Sequence, residues 1–91
     1  MVLRVEAAAH RRLTILRLSG RLQSEHVDQL RTQIEASAKP VVLDLEGLKL
    51  VDYASVCFLA ECEAGGVELS HCSPYIRNWI SREKANRRGD S

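Results

Sequence analysis

The sequence predicts an α/β domain with a mixed four-stranded β-sheet and about three helices packed mainly on one face. Residues 41–45 form a short apolar run rich in β-branched residues, which is typical of a central strand covered on both faces. Residues 3–7 alternate between apolar and charged, and the apolar run 13–18 follows after a polar stretch, which predicts a hairpin. Three later stretches space their apolar residues as helices do.

The hairpin and the first helix occupy the first 36 residues. Leu3, Val5 and Ala7 predict a strand at or near the sheet edge, with one face in water. Ser24 is a suitable N-cap for the helix that follows. This helix has one apolar stripe, because its apolar residues fall at positions i, i+3 and i+7, namely Val27, Leu30 and Ile34.

The central strand leads into a largely apolar helix. Asp44 and Glu46 interrupt the strand pattern, and we expect a turn at Gly47 before a second apolar group. Asp52 then stands where a helix N-cap is expected. Residues 53–64 are apolar on nearly all sides, which predicts a helix largely covered by the rest of the domain or by a binding partner.

The rest of the chain predicts one more strand, one more helix and a tail. Strand–helix–strand units close as right-handed parallel crossovers, so strands two, three and four should be parallel. Ser73 and Pro74 open the third helix, which buries Ile76, Trp79 and Ile80. We expect a domain over residues 1–81 and a polar, basic, disordered tail over residues 82–91.

Several of these stretches resemble the STAS family, which is named for sulfate transporters and anti-sigma factor antagonists. The apolar strand ending in Asp44-Leu45, the link containing Gly47 and the Asp52 that begins a buried helix match that family's pattern. Residues 18–22 resemble its "L-x-G-x-L" strand ending, and residues 72–74 resemble its "C-S-P" helix start. The resemblance covers about residues 3–80 and implies a bacterial, noncatalytic signalling protein that regulates transcription by binding another protein.

Length and composition are those of one small domain. No window approaches the roughly 18 apolar residues of a membrane span, and the first residues alternate instead of forming a secretory signal, so we expect a cytoplasmic protein. Residues 41–68 carry one Lys against six Asp and Glu, while each flank has a net charge of +3. The net charge of +1 and the four scattered aromatic residues give no basis for specific nucleic-acid binding.

Two clusters follow parallel strands and are expected at the same rim of the sheet. Asp52 and Ser55 follow strand three, while His71 and Ser73 follow strand four. Ligands gather beyond the carboxyl ends of parallel strands, so this rim is a candidate site for a phosphate or a charged side chain. The alternative is that Asp52 and Ser73 are only helix caps.

The resemblance also implies where a regulatory switch would lie. In phosphorylatable STAS members the Asp is followed by two hydroxyl residues and a glycine, and the second hydroxyl accepts phosphate from a partner kinase. The matching residues here are Tyr53, Ala54 and Ser55. Ala54 has no hydroxyl group, so we expect the usual switch to be absent, or moved to Ser55.

The resemblance places a partner-binding surface at the start of the second helix. The residues assigned to it are Asp52, Tyr53, Ala54, Ser55 and Phe58. The closing strand and helix of the family are missing here, so we expect Phe58, Leu59 and Trp79 to be exposed and available to a partner or a second copy. The alternative is that the tail covers them.

No catalytic motif, cofactor motif or metal site is predicted. Cys57 and Cys62 lie five residues apart, which does not fit a structural zinc site, so reduced core thiols are expected. Cys72 begins the third helix and is either activated there or a buried apolar group. The remaining functional alternatives are a small-ligand or nucleotide sensor and an accessory subunit of a lipid or anion transporter. The sequence does not identify the partner.

Overall fold

A computed structural model describes residues 3–89 and contains one mixed sheet and three helices. The elements in chain order are β1 (Arg4–His10), β2 (Leu13–Leu22), α1 (Ser24–Ala36), β3 (Val41–Val51), α2 (Tyr53–Ala64), β4 (Glu68–Ser70) and α3 (Pro74–Gly89). The strand order is β1-β2-β3-β4, with β1 antiparallel to β2 and the other pairs parallel. The predicted fold class is confirmed.

The core lies on one face of this sheet. Leu16 and Leu18 of β2 are buried, as are Leu43 and Leu45 of β3, because alternate residues of a strand point to the same face. Apolar side chains from all three helices join them in one cluster: Leu30, Val56, Phe58, Leu59, Ala60, Ile76 and Ile80. Arg17 and Asp44, at alternating positions of the two central strands, lie on the opposite face.

The turn expected at Gly47 is wrong, because β3 continues through this residue to Val51. Gly47 pairs with Ser19 of β2 where the register shifts, so the irregularity is taken up within the sheet. A Cβ atom on Gly47 would lie 2.7 Å from the Cβ of Ser19. The glycine therefore permits a close approach of two strands.

Both ends of the helical layer differ from expectation. The N-cap of α1 is Gln23 and not Ser24, since the backbone amide of Gln23 donates to Nδ1 of His26 at 3.1 Å. The disordered tail expected from residue 82 is not found over residues 82–89, which continue α3. Glu83 is buried and Lys84 contacts α2, so contacts with the rest of the domain stabilise α3 beyond residue 81. The expected boundary at residue 81 falls inside α3, and residues 90–91 lie outside the described part.

None of the helices within residues 3–89 combines the length and apolar character needed to cross a bilayer.

Candidate functional site

Asp52 joins the beginnings of two helices. Its Oδ1 accepts a hydrogen bond from the backbone amide of Ser55 at 2.9 Å, which caps α2. Its Oδ2 accepts from the backbone amide of Ser24, the first residue of α1, at 2.8 Å. One carboxylate therefore satisfies an otherwise unpaired amide in each helix and holds the two helix starts together.

The pKa of Asp52 is lowered in the folded protein. Burial acts to raise this pKa, but hydrogen bonds from Ser55 and Ser24 to the charged form outweigh it. The carboxylate is therefore negative at neutral pH, at the positive end of two helix dipoles.

The first turn of α2 has one side in solvent and one in the core. Tyr53 is 62% exposed and Ala54 is also exposed. Ser55 is fully buried, and its hydroxyl donates to the carbonyl of Leu22 at the end of β2 at 3.0 Å. Of the residues assigned to a partner surface, the turn presents Tyr53 and Ala54, with Asp52 half-buried beside them.

Phe58 and Leu59 are not exposed, so that expectation is wrong. Phe58 is only 2% exposed because α1 packs over it, with the guanidinium of Arg31 lying 5.3 Å from the ring centroid. Arg31 also bridges to Glu61 of α2 at 3.2 Å. Trp79 is half-buried, and its ring lies 5.9 Å from that of Tyr75. Phe58 therefore belongs to the core and is not part of an exposed surface.

The residues expected at one common rim of the sheet lie at two separate places. β4 has three residues and pairs with Val42–Asp44, so it ends beside the first half of β3. Asp52 comes eight residues after Asp44, up to about 26 Å further along an extended strand. His71 pairs with Asp44, and Ser73 accepts from the amide of Ile76 at 3.4 Å, as an α3 cap. These two residues therefore have partners of their own, away from those of Asp52 and Ser55.

Asp44 is the centre of a separate network on the helix-free face of the sheet. Its side chain is 8% exposed and faces Nε of Arg17 at 3.5 Å and Nδ1 of His71 at 3.2 Å. The pKa of Asp44 is lowered, chiefly by the backbone amide of Glu46 and further by His71 and Arg17. Ligand atoms of Asp44, Glu46 and His71 lie within 4.8 Å of one another. Arg17 already places a positive charge there, so the geometry is that of an ion-pair network.

Comparisons with known proteins agree with this fold. A family model described as "Mlab, STAS domain" matches residues 5–74. The chain belongs to the STAS domain family. A comparison with curated proteins finds no significant match.

Three solved structures are similar to this STAS domain. The anti-sigma factor antagonist SpoIIAA in its unphosphorylated form has a TM-score of 0.65 at 20% identity, covering 99% of each chain. Phosphorylated SpoIIAA from Bacillus has a TM-score of 0.60 at 22% identity, covering 90% of this chain and 83% of that one. A STAS domain from Rhodobacter sphaeroides, described as an antisigma-factor antagonist, has a TM-score of 0.56 at 20% identity, covering 79% and 92%. At these identities the likeness establishes the fold.

The STAS domain has a further acidic group beside the exposed turn that the sequence did not indicate. Glu83 of α3 is 9% exposed, and Cys57 of α2 donates from Sγ to its Oε2 at 3.9 Å. The pKa of Tyr53 is raised by Cys57 first and then by Glu83. Glu83 follows Ile76 and Ile80 at seven and three residues, so the buried stripe of α3 continues through it. Helical spacing was therefore the signal that could have identified it.

A second carboxylate fixes α3 against α2. Both guanidinium nitrogens of Arg77 donate to Glu63, at 3.0 and 2.9 Å, and Lys84 donates to the same carboxylate. These bonds lower the pKa of Glu63 to about 2, with Arg77 as the largest cause. The contact also holds the part of α3 that was expected to be a tail.

The three cysteines of this STAS domain are free and partly buried. Burial raises the pKa of Cys62 to about 11 and also raises that of Cys72. Of the two readings of Cys72, the structure favours the buried apolar group, because an activated thiol has a lowered pKa.

Proposed function

We propose that this STAS domain is a noncatalytic protein-binding module with a regulatory role like that of anti-sigma factor antagonists. Its docking surface is the opening turn of α2, defined here as Asp52, Tyr53 and Ala54. The observation that carries the proposal is that this turn faces solvent with Tyr53 62% exposed while both helix starts beneath it are held by one carboxylate.

The rigidity of the docking surface favours binding. Asp52 is fixed by two hydrogen bonds, and Ser55 is tied to Leu22, so little order has to be gained when a partner arrives. An exposed tyrosine is the type of residue that often contributes strongly to protein interfaces. The side chains around it serve as caps and core contacts, which supports a binding role without catalysis.

We also propose that binding is not switched by phosphorylation of Ser55. The hydroxyl of Ser55 is buried and already donates to Leu22, and Ala54 has no hydroxyl group to replace it. A phosphate on Ser55 would require its removal from the core. Intact-mass measurement of the protein from its native cell should therefore find no phosphate on Ser55, and a stoichiometric phosphate there would contradict this part of the proposal.

The docking surface can be tested with a matched pair of variants on one helix. Ala54 and Ala64 are both exposed residues of α2, at its opposite ends. Ala54→Arg places a large side chain on the docking surface, whereas Ala64→Arg places it where the helix dipole favours a positive charge. Both proteins should retain the circular dichroism spectrum of the wild type.

The measurement is co-purification from the source cell followed by mass spectrometry. We expect a partner that wild type and Ala64→Arg retain and Ala54→Arg loses. If the partner is an anti-sigma factor or a kinase, the regulatory role is supported; if it is a transporter subunit, the docking surface stands but the antagonist role is wrong. Equal recovery by all three proteins would place docking elsewhere.

A further inference from the structure

Glu83 differs from the half-buried carboxylate of Glu63 in the charge of the partners that the structure describes. Glu63 takes hydrogen bonds from both Arg77 and Lys84, two cations of α3. Among the side chains described, none brings a cationic nitrogen within ion-pair distance of Glu83, which contacts the thiol of Cys57 at 3.9 Å and also raises the pKa of Tyr53. A thiol is a weak donor and a tyrosine hydroxyl is neutral, so neither of these neighbours offsets the negative charge of the carboxylate.

Glu83 lies at the edge of the docking surface. Cys57, which contacts Glu83, is one helical turn after Tyr53 on α2. Both Cys57 and Glu83 raise the pKa of Tyr53. The side chains of Tyr53, Cys57 and Glu83 are each neutral when protonated and negative when deprotonated. None of them can therefore supply a positive charge. The carboxylate of Asp52 adds a further negative charge at the same end of α2.

We propose that the docking surface receives an arginine of the partner, whose guanidinium pairs with Glu83 and lies against the ring of Tyr53. This inference rests on the proposed function and names the chemistry that the partner presents. A guanidinium matches a carboxylate with two parallel hydrogen bonds, and its planar face stacks on aromatic rings. The exposed ring and the buried carboxylate next to it fit these two properties.

The test uses the full chain and a small probe, N-acetyl-arginine methylamide, followed by ¹⁵N–¹H NMR. We expect saturable shifts at the amides of Tyr53, Ala54, Cys57 and Glu83. The neutral citrulline analogue has nearly the same shape without the charge and should give no saturation.

Glu83→Gln should weaken arginine binding about tenfold or more, because bonds to charged groups are the strong ones. Glu68→Gln, which changes an exposed carboxylate on β4, should leave it unchanged. Glu83→Gln should also unfold at the wild-type temperature or higher, since a buried charge is removed. A merely structural Glu83 would instead lower the unfolding temperature without selective loss of arginine binding.

The inference is overturned if citrulline binds as well as arginine, if Glu83→Gln binds as wild type does, or if the shifts centre on Asp44 and His71. Arg87 follows Glu83 by four residues, the spacing of a helical ion pair, so Arg87→Ala is tested as well. Unchanged arginine affinity supports the inference, and a clear tightening would mean that Glu83 already has an internal partner and overturns it. Loss of the partner by Ala54→Arg without any arginine response would leave the proposed function intact and remove only this inference.

Discussion

Single carboxylates and single small residues determine how the proposed docking surface is built. Asp52 caps α2 and also binds the first amide of α1, so one side chain sets the relative position of two helix starts. Ser55 fixes the same turn to the end of β2 through its hydroxyl. The candidate site is therefore a structural junction whose outer side is free to contact a partner.

Asp52→Asn should lower the free energy of unfolding by about 1–2 kcal/mol at pH 7, since an amide has one acceptor oxygen for two backbone donors. The pKa of Asp52 is lowered by folding, so its stabilisation is complete above the ordinary value of 3.8 and is lost as pH falls through the folded value. Urea unfolding at several pH values should show the difference disappearing in acid. Asp28→Asn, on an exposed position of α1, is the control and should show no such trend.

Ser55→Ala should lower the free energy of unfolding by about 1–2 kcal/mol, because the carbonyl of Leu22 loses its donor inside the core. Ser55→Asp should be more destabilising, since it buries a charge without a partner. Thermal unfolding of both variants checks this order. If Ser55→Asp were as stable as the wild type, the turn would open easily and phosphorylation at Ser55 would be feasible.

Gly47→Ala should lower the free energy of unfolding by about 1–3 kcal/mol, because the added Cβ would lie 2.7 Å from the Cβ of Ser19. Adding Ser19→Gly removes that clash and should recover part of the loss in a double-mutant cycle. Gly65→Ala is the control, as its nearest contact would be 3.4 Å and its φ of −87° suits alanine. Equal losses at both glycines would argue against a specific close approach in the sheet.

At the scale of helices and strands, the sequence predicts the type and order of the elements better than it predicts their lengths. The order and type of every element followed from local apolar patterns, which report the buried side of a helix or strand directly. The lengths did not, because β3 continues through Gly47 and α3 continues past residue 81 on contacts with distant residues. The short β4 separates His71 from Asp52, and no local pattern gives the length of one strand relative to its neighbour.

Glu63→Gln should weaken the contact between α2 and α3 and lower the free energy of unfolding by about 1–2 kcal/mol at pH 7. The pKa of Glu63 is lowered from 4.5 to about 2, so this stabilisation is present above pH 4.5 and is lost as pH falls toward 2. Unfolding at pH 7 and in acid measures it, with Glu68→Gln as a control. A loss that persists below pH 2 would show that packing, not charge, is responsible.

At the scale of the whole molecule, the fold could be predicted from the sequence and the surface only in part. The pattern of strand three followed directly by a capped helix predicted that Asp52 is the N-cap and that Tyr53 and Ala54 face outward. Exposure of Phe58 was predicted wrongly, since the covering by Arg31 depends on how α1 crosses α2. The acidic neighbour Glu83 comes from a helix 30 residues after Tyr53 and meets it through tertiary packing.

Hydrogen–deuterium exchange on the complex with the partner recovered by co-purification would show whether the partner covers the start of α2. We expect slowed exchange that begins at residues 53–57 and extends to α3 around residue 83, while the helix-free face of the sheet is unchanged. Protection confined to the strands that carry Arg17 and Asp44, with the start of α2 exchanging as in the free protein, would contradict this expectation.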